Sequence, residues 1–325
     1  MRNLLPAMAL AIAVSAAHAA LAQTYPTRPV TLVIPFAGGG PTDLLGRIVA
    51  GRMSEILGQQ VVVENVGGEG GEAGAKRVAD AAPDGYAIVM GTVGTHAQSQ
   101  TLYKTPRYNA LTDFTPVALL AEVPIVLIAR RDLPVEDLKS FAAHVKENES
   151  KMTFGSAGAG SASHLACVVA NAALGLKVAH APYQGTGPAT EDLQGGRIDY
   201  LCEIAATAGP ALDSGSVKGI AVMAPRRSRV LPALPTAMEQ GVAGIDAYTW
   251  NAIFLPKGAP EAVVRTLADA VDKALETPAI KERLTEHGWI VVPKDRRTPA
   301  FLASFLKTEI EKWAGPITAS GATVE

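Results

Sequence analysis

Four glycine- and hydroxyl-rich stretches hold the residues of this chain best suited to bind a solute: Phe36 to Asp43, Gly91 to His96, Gly155 to Ser163 and Tyr183 to Gly187. Each follows a short apolar run that reads as a strand. Ligands of open α/β sheets gather beyond such strand ends. Where a helix follows, its first backbone N–H groups point outward with partial positive charge. Glycine lets an anion come close to that backbone. None of the four stretches contains Lys or Arg. An anion held there would rest on neutral dipoles, hydroxyls and water, which makes capture reversible. Any one stretch could be an ordinary tight turn. Four at equivalent strand ends point to two loop sets facing across a cleft.

Covalent chemistry has weaker support. Ser156, Ser161, Ser163 and His164 crowd one stretch, but Gly155-Ser156-Ala157-Gly158 lacks the Gly-x-Ser-x-Gly elbow of serine hydrolases. His164 follows Ser163 directly, so the two side chains diverge by about 100° on a helix. Capping of that helix by Ser161 or Ser163 is the expectation. The six histidines are scattered without metal-ligand spacing. No Gly-x-x-x-x-Gly-Lys-Ser/Thr loop occurs, and the Rossmann-like Gly68-Glu-Gly70-Gly-Glu-Ala73 lacks an acidic residue at the end of the next strand. No cofactor or metal is expected. Glu203 follows the expected strand end at Cys202; it could bond cleft water, select an amino-bearing or protonated ligand, or cap a helix. Phe36 and Tyr183 could wall the cleft.

The elements that must position these residues alternate along the chain. Val30 to Pro35 is a β-branched run typical of a doubly buried strand. Thr42 or Asp43 can cap the next helix. In it Leu45, Ile48, Val49, Met53 and Ile56 form the apolar stripe, and Gly58 ends it. Strands are expected at Val61 to Val63, Tyr86 to Met90, Ile125 to Ala129, Met152 to Phe154, Val178 to Ala181, Ile198 to Cys202, Gly219 to Met223, Trp250 to Leu255 and Ile290 to Val292. Helices fall between most of them, and the last is expected over Pro299 to Trp313. The class is α/β, with mostly parallel sheets flanked by helices. Two domains are expected: a discontinuous one, 23–123 plus 250–325, and a second, 124–249.

Residues 1–22 have the order of an export signal. Arg2 is the positive start, Leu4 to Ala16 the apolar segment, and Ala17-His-Ala19 and Ala20-Leu-Ala22 are small-x-small sites. Cleavage after Ala22 is expected, with a periplasmic mature chain of roughly 300 residues. A formal net charge of −2 and 5% aromatic content argue against nucleic acid and anionic membrane as partners. Two cysteines, Cys167 and Cys202, in an oxidising compartment permit a disulfide. Two separate buried thiols are the alternative.

In order and spacing, several short motifs resemble those of the receptors of tripartite tricarboxylate transporters, the Bug family. They are Tyr25-Pro26, Pro35 to Gly40 with Thr42-Asp43, Ala82-Pro-Asp-Gly-Tyr86, Gly155 to Gly158 with Ser163-His-Leu165, Pro182-Tyr183 with Gly185 and Pro188-Ala189, Leu234-Pro-Thr236, and Trp250 with Pro256-x-Gly-x-Pro260. The resemblance covers nearly all of the mature chain. It implies a two-domain, type II periplasmic-binding fold that closes on its ligand and hands it to a membrane permease. By matching motif it implies ligand roles for Phe36, Ala37, Gly38, Gly39, Gly40 and Thr42 on one side, and for Ser156, Ala157, Gly158 and Ser161 on the other. Tyr183, Gln184 and Gly185 should line the cleft, with Thr92 and Glu203 as further candidates. Where this chain has Glu203, such receptors commonly carry Asp. A small organic carboxylate is the expected ligand and a monomer the expected state. On this reading Gly39→Asp would abolish binding by placing a carboxylate where the anion sits.

Overall fold

A computed structural model describes residues 25–243 and 245–324. The expected export signal lies outside them. The strand Val30–Ile34 (β1) is almost wholly buried and lies between two parallel partners, Val61–Asn65 (β2) and Ala87–Thr92 (β3). Between β1 and β2 runs the helix Pro41–Leu57 (α1), which buries Leu45, Ile48, Val49 and Met53 and stops at Gly58 with φ +66°. Gly46 of α1 lies flush on the sheet: a Cβ there would be 2.6 Å from Ile34 Cδ1. A short helix, Glu72–Ala79 (α2), precedes β3. After β3 the chain makes a π-helical turn, Gly94–Gln98, and one helical turn, Ser99–Leu102 (α3). The expected Gly91 to His96 loop is therefore the end of a strand running into a helical turn.

The next strand, Phe114–Arg130 (β4), is the spine of the molecule. Sequence reading found only its second half, from Ile125. The first half carries Pro116 and two register irregularities, which mask its alternation. Up to Pro124, β4 pairs antiparallel with Tyr248–Pro256 (β9) and briefly with Ile290–Val291 (β10). From Ile125 it pairs with Tyr200–Ile204 (β7) and Val217–Val222 (β8). Proline has no N–H to donate, and Pro124 sits where β4 changes neighbours.

Beyond β4 come Leu138–Asn148 (α4), Thr153–Ser156 (β5), Ala162–Leu174 (α5), Ala179–Pro182 (β6), Thr186–Gln194 (α6) and, after β7, Ala205–Asp213 (α7). Here β5 lies parallel between β6 and β7. The whole sheet runs β2-β1-β3-β9-β4-β7-β5-β6, with β8 and β10 added on β4. The α/β class holds, but the sheet is more mixed than expected. The outer strands are parallel, while every pairing of β4 and β9 is antiparallel.

The C-terminal helices are Glu261–Glu276 (α8), Pro278–Glu286 (α9) and Pro299–Ser320 (α10). The last runs past Trp313 because Pro316 does not interrupt it. On its buried face Glu309 accepts hydrogen bonds from Tyr248 Oη at 2.6 Å and Trp250 Nε1 at 2.9 Å, tying α10 to β9.

Candidate functional site

Four helices start around one point. The turn into α1 contributes Phe36, Gly40, Pro41 and Thr42, and the turn into α5 contributes Ala157 and Ser161 to Ser163. Thr186 opens α6, Ile204 leads into α7, and Thr92 and Thr249 close the wall from β3 and β9. Together they surround a cavity of about 30 Å³. No lysine or arginine among the described residues lines it.

The positive potential comes from backbone. Gly40, Gly185 and Ile204 are the N-cap residues of α1, α6 and α7, and none of these helices has a side-chain cap. Each helix N-terminus carries the equivalent of about half a positive charge. The expectation that Thr42 or Asp43 caps α1 is corrected: the helix begins at Pro41 with Gly40 as cap, two or three residues earlier than expected. Asp43 instead shapes the turn. Its Oδ2 accepts from Gly39 N at 3.0 Å and Arg47 Nε at 3.0 Å, and its Oδ1 from Asn65 Nδ2 at 2.9 Å. Burial alone would raise its pKa, but Arg47, Gly39 and Asn65 outweigh burial and hold the carboxyl below its usual range.

The second wall is built by serines. Ser161 Oγ accepts from His164 N at 3.2 Å, capping α5, and donates to Gly158 O at 2.6 Å. Ser163 Oγ accepts from Ala157 N at 2.8 Å. His164 Nδ1 accepts from Gly160 N at 3.2 Å. Its ring stacks on His180 with centroids 4.2 Å apart. Burial, with His180 beside it, pushes its pKa down to about 3. Ser156 Oγ lies 2.6 Å from His180 Nε2 and accepts from Gly158 N at 3.0 Å. Ser156 is fully buried and does not line the cavity, so this serine–histidine pair braces the turn from behind.

The sequence candidates therefore divide. Phe36, Gly40, Thr42, Thr92, Ala157 and Ser161 meet at the inner cavity. Ala37, Gly158, Tyr183 and Gln184 line a separate outer cleft of about 830 Å³ with Glu72 and Tyr103. Gly38 and Gly39 are exposed. Gly39 has φ +82°, and a Cβ there would meet nothing within 4 Å. Gly39 thus does not line the inner cavity, and its left-handed φ would strain any side chain, the aspartate of Gly39→Asp included. Gly185 caps α6 with extended φ 170° and packs on Ala37.

Glu203 does not line the cavity either. Its carboxylate is buried and accepts from Ile204 N at 2.6 Å, Thr190 Oγ1 at 3.0 Å and Thr207 Oγ1 at 3.0 Å, which joins α6 to α7. Burial raises its pKa, and those three donors oppose the rise. The Thr186 hydroxyl lies near Glu203 but has no hydrogen-bond partner of normal geometry. Thr186 lies within the Tyr183 to Gly187 stretch but was not singled out there, although it opens a helix at a glycine turn. Thr249 lies outside all four stretches; it is a lone hydroxyl near the start of β9 and carries no such signal.

The two loop sets touch. Ala37 N donates to Gln184 O at 2.8 Å. The Tyr103 hydroxyl lies 2.9 Å from Glu69 O and 2.8 Å from Ala159 O, and donates to one at a time. Gly94 packs so tightly on the start of α5 that a Cβ would be 2.7 Å from Ala162 N. Cys167 of α5 and Cys202 of β7 form a disulfide with Cα atoms 5.5 Å apart, so two of the elements that end at the cavity are covalently joined.

Two α/β halves sharing long strands, with helix N-termini aimed into a cavity between their loops, define a solute-binding protein. The sequence model of the tripartite tricarboxylate transporter family receptors, TctC, matches residues 45–321, and the chain belongs to that family. The solved periplasmic binding protein BugD is similar over 93% of this chain and all of its own, with 38% identity and a TM-score of 0.90. MatC from Rhodopseudomonas palustris, solved with bound malate, shares 40% identity over 90% of this chain and 100% of its own, with a TM-score of 0.88. Another R. palustris protein, solved with adipate, shares 32% identity over 92% of this chain and 100% of its own, with a TM-score of 0.87. These neighbours carry the periplasmic-binding fold, and the family is one of receptors.

Proposed function

We propose that this protein is a periplasmic receptor for a small organic carboxylate, captured at the inner cavity and delivered to a tripartite tricarboxylate-type permease. The observation that carries this reading is the convergence of four helix N-termini on a cavity with no lysine or arginine among the described residues of its wall. Backbone dipoles and hydroxyls can neutralise a carboxylate there without an ion pair. The malate and adipate bound by its neighbours make a dicarboxylate the first class to test.

A cavity of about 30 Å³ is on the scale of ordered water. A dicarboxylate would enter by parting of the loops, with 23–123 plus 250–325 and 124–249 moving as two bodies about the crossings of β4 and β9. Binding then shifts an open ensemble toward the closed one. Only in the closed form do α1 and α5 both reach the ligand. Thr42, Thr92, Ser161 and Thr186 are the side chains assigned to it, with Phe36 as apolar wall. Glu203 and the disulfide hold the helices that present the backbone.

The test is a thermal-shift and calorimetry screen of the mature protein against mono-, di- and tricarboxylates. A ligand at a hundred times its Kd should add about 2.7 kcal/mol of stability. It should be recovered chemically unchanged. Silence across all carboxylates would overturn the reading, and turnover of the ligand would replace it with an enzymatic one.

A further inference from the structure

On the far side of the crossing strands lies a third concavity, a cleft of about 640 Å³. Adjacent residues of a strand face opposite ways. Thr249 of β9 lines the inner cavity, and its neighbour Tyr248 lines this rear cleft. One wall is the segment after β8, with Arg226, Ser228 and Arg229. The other is the α9–β10 region, with Lys281 and Trp289.

The charges of this cleft are not balanced from within. Its two acids are engaged by cations outside its lining: Glu122 with Arg296 at 2.5 Å and Asp246 with Lys312 at 3.4 Å. Arg227 turns to Glu239 at 2.8 Å and to Pro232 O at 3.0 Å. Arg226 and Arg229 make no ion pair or hydrogen bond among the described residues, and Lys281 has only Glu276 at 3.9 Å. Two unpaired guanidinium groups, and Lys281 with its one long ion pair, thus face one concavity. Two lining residues also carry buried donors without a partner, Ser228 Oγ and Trp289 Nε1. The indole N–H can only donate. Tyr248, Trp289 and Ile290 supply apolar surface, and Ile290 is 56% exposed.

We infer that the rear cleft is a second ligand site, for a small organic anion carrying two or more carboxylate or phosphate charges on an apolar body. Its volume falls in the range of small-molecule sites. Guanidinium groups suit planar, bidentate carboxylate and phosphate recognition. The bound anion would bridge the segment after β8 to the α9–β10 region behind the crossings.

The probe is benzene-1,3,5-tricarboxylate, titrated calorimetrically into the mature full-length protein. Inorganic pyrophosphate serves as the arm with charge and no apolar body. Saturable binding of the tricarboxylate is expected, weakening as salt rises. Affinity should fall about tenfold or more in Arg226→Ala/Arg229→Ala. Lys281→Ala, on the opposite wall, should weaken it separately. All three side chains are exposed, so melting temperatures should stay close to that of the parent. Binding unchanged in both variants would place the anion elsewhere and overturn the assignment, as would no binding at millimolar probe. Equal affinity for pyrophosphate would refute the role of the apolar wall.

Discussion

Ser161 shows how little of this site is built from charge. One hydroxyl caps α5 through His164 N, fixes Gly158 O and lies 3.2 Å from Ser163 Oγ. Ser161→Ala should therefore cost about 1–2 kcal/mol, as N-cap losses do, and lower the urea midpoint without changing the m-value. An unchanged midpoint would mean that the turn holds itself. The buried histidines set a second residue-scale expectation. His96 is fully buried and stacked on Phe254, and burial pushes its pKa down to about 3, as for His164. A base with a depressed folded pKa contributes stability above its unfolded value near 6.5 and loses it as pH falls toward the folded value. Each such histidine can remove up to about 1.4 kcal/mol per pH unit below that point. Glu72 works the other way. Burial raises its pKa to about 7 against the pull of Arg107, so its contribution is lost as pH rises from about 4.5 to 7. Melting curves between pH 7 and 5 should fall less steeply in His96→Leu than in the parent. Parallel curves would show that His96 does not titrate in this range on unfolding.

At the scale of elements, the disulfide carries the clearest consequence. It closes a 35-residue separation between α5 and β7, and removal should cost about 3–4 kcal/mol in the chain-entropy model. Cys167→Ala/Cys202→Ala should show that loss in denaturant. Because the N-terminus of α5 and the end of β7 both face the cavity, ligand affinity should weaken with it. Stability equal to the parent's would indicate that packing alone aligns the two elements. Most of these elements were legible beforehand. The apolar runs of β1, β3, β5 and β7 and the stripe of α1 stand out because burial on both faces, or on one helical face, leaves a plain period. The first half of β4 did not, since Pro116 and the register shifts break its alternation. The π-helical turn after β3 is a tertiary product as well: glycine and threonine mark a loop equally well, and packing against α10 and α5 selects the helical turn.

For the molecule as a whole, the expectation concerns closure. Gly94 lies in a right-handed helical turn that alanine fits locally, yet a Cβ would press on Ala162 N across the loop contact. Gly94→Ala should leave the free protein close to parental stability and weaken ligand binding by about tenfold or more, since overpacking of about 1–3 kcal/mol falls on the closed form. Unchanged affinity by calorimetry would show that the bound form does not bring these loops together. The α/β alternation, the export-signal pattern and the neutral, glycine-rich character of the candidate loops are readable along the chain, because each is written in local period and residue type. Tertiary structure alone decided which members of those loops meet. Gly39 and Gly40 are neighbours of one type, yet only Gly40 reaches the cavity, because backbone direction through the turn separates them. Glu203 became a brace and Thr249 part of the wall for the same reason: the direction of a side chain at a strand end follows from the pairing of strands distant in sequence, here through β4, which local sequence does not encode.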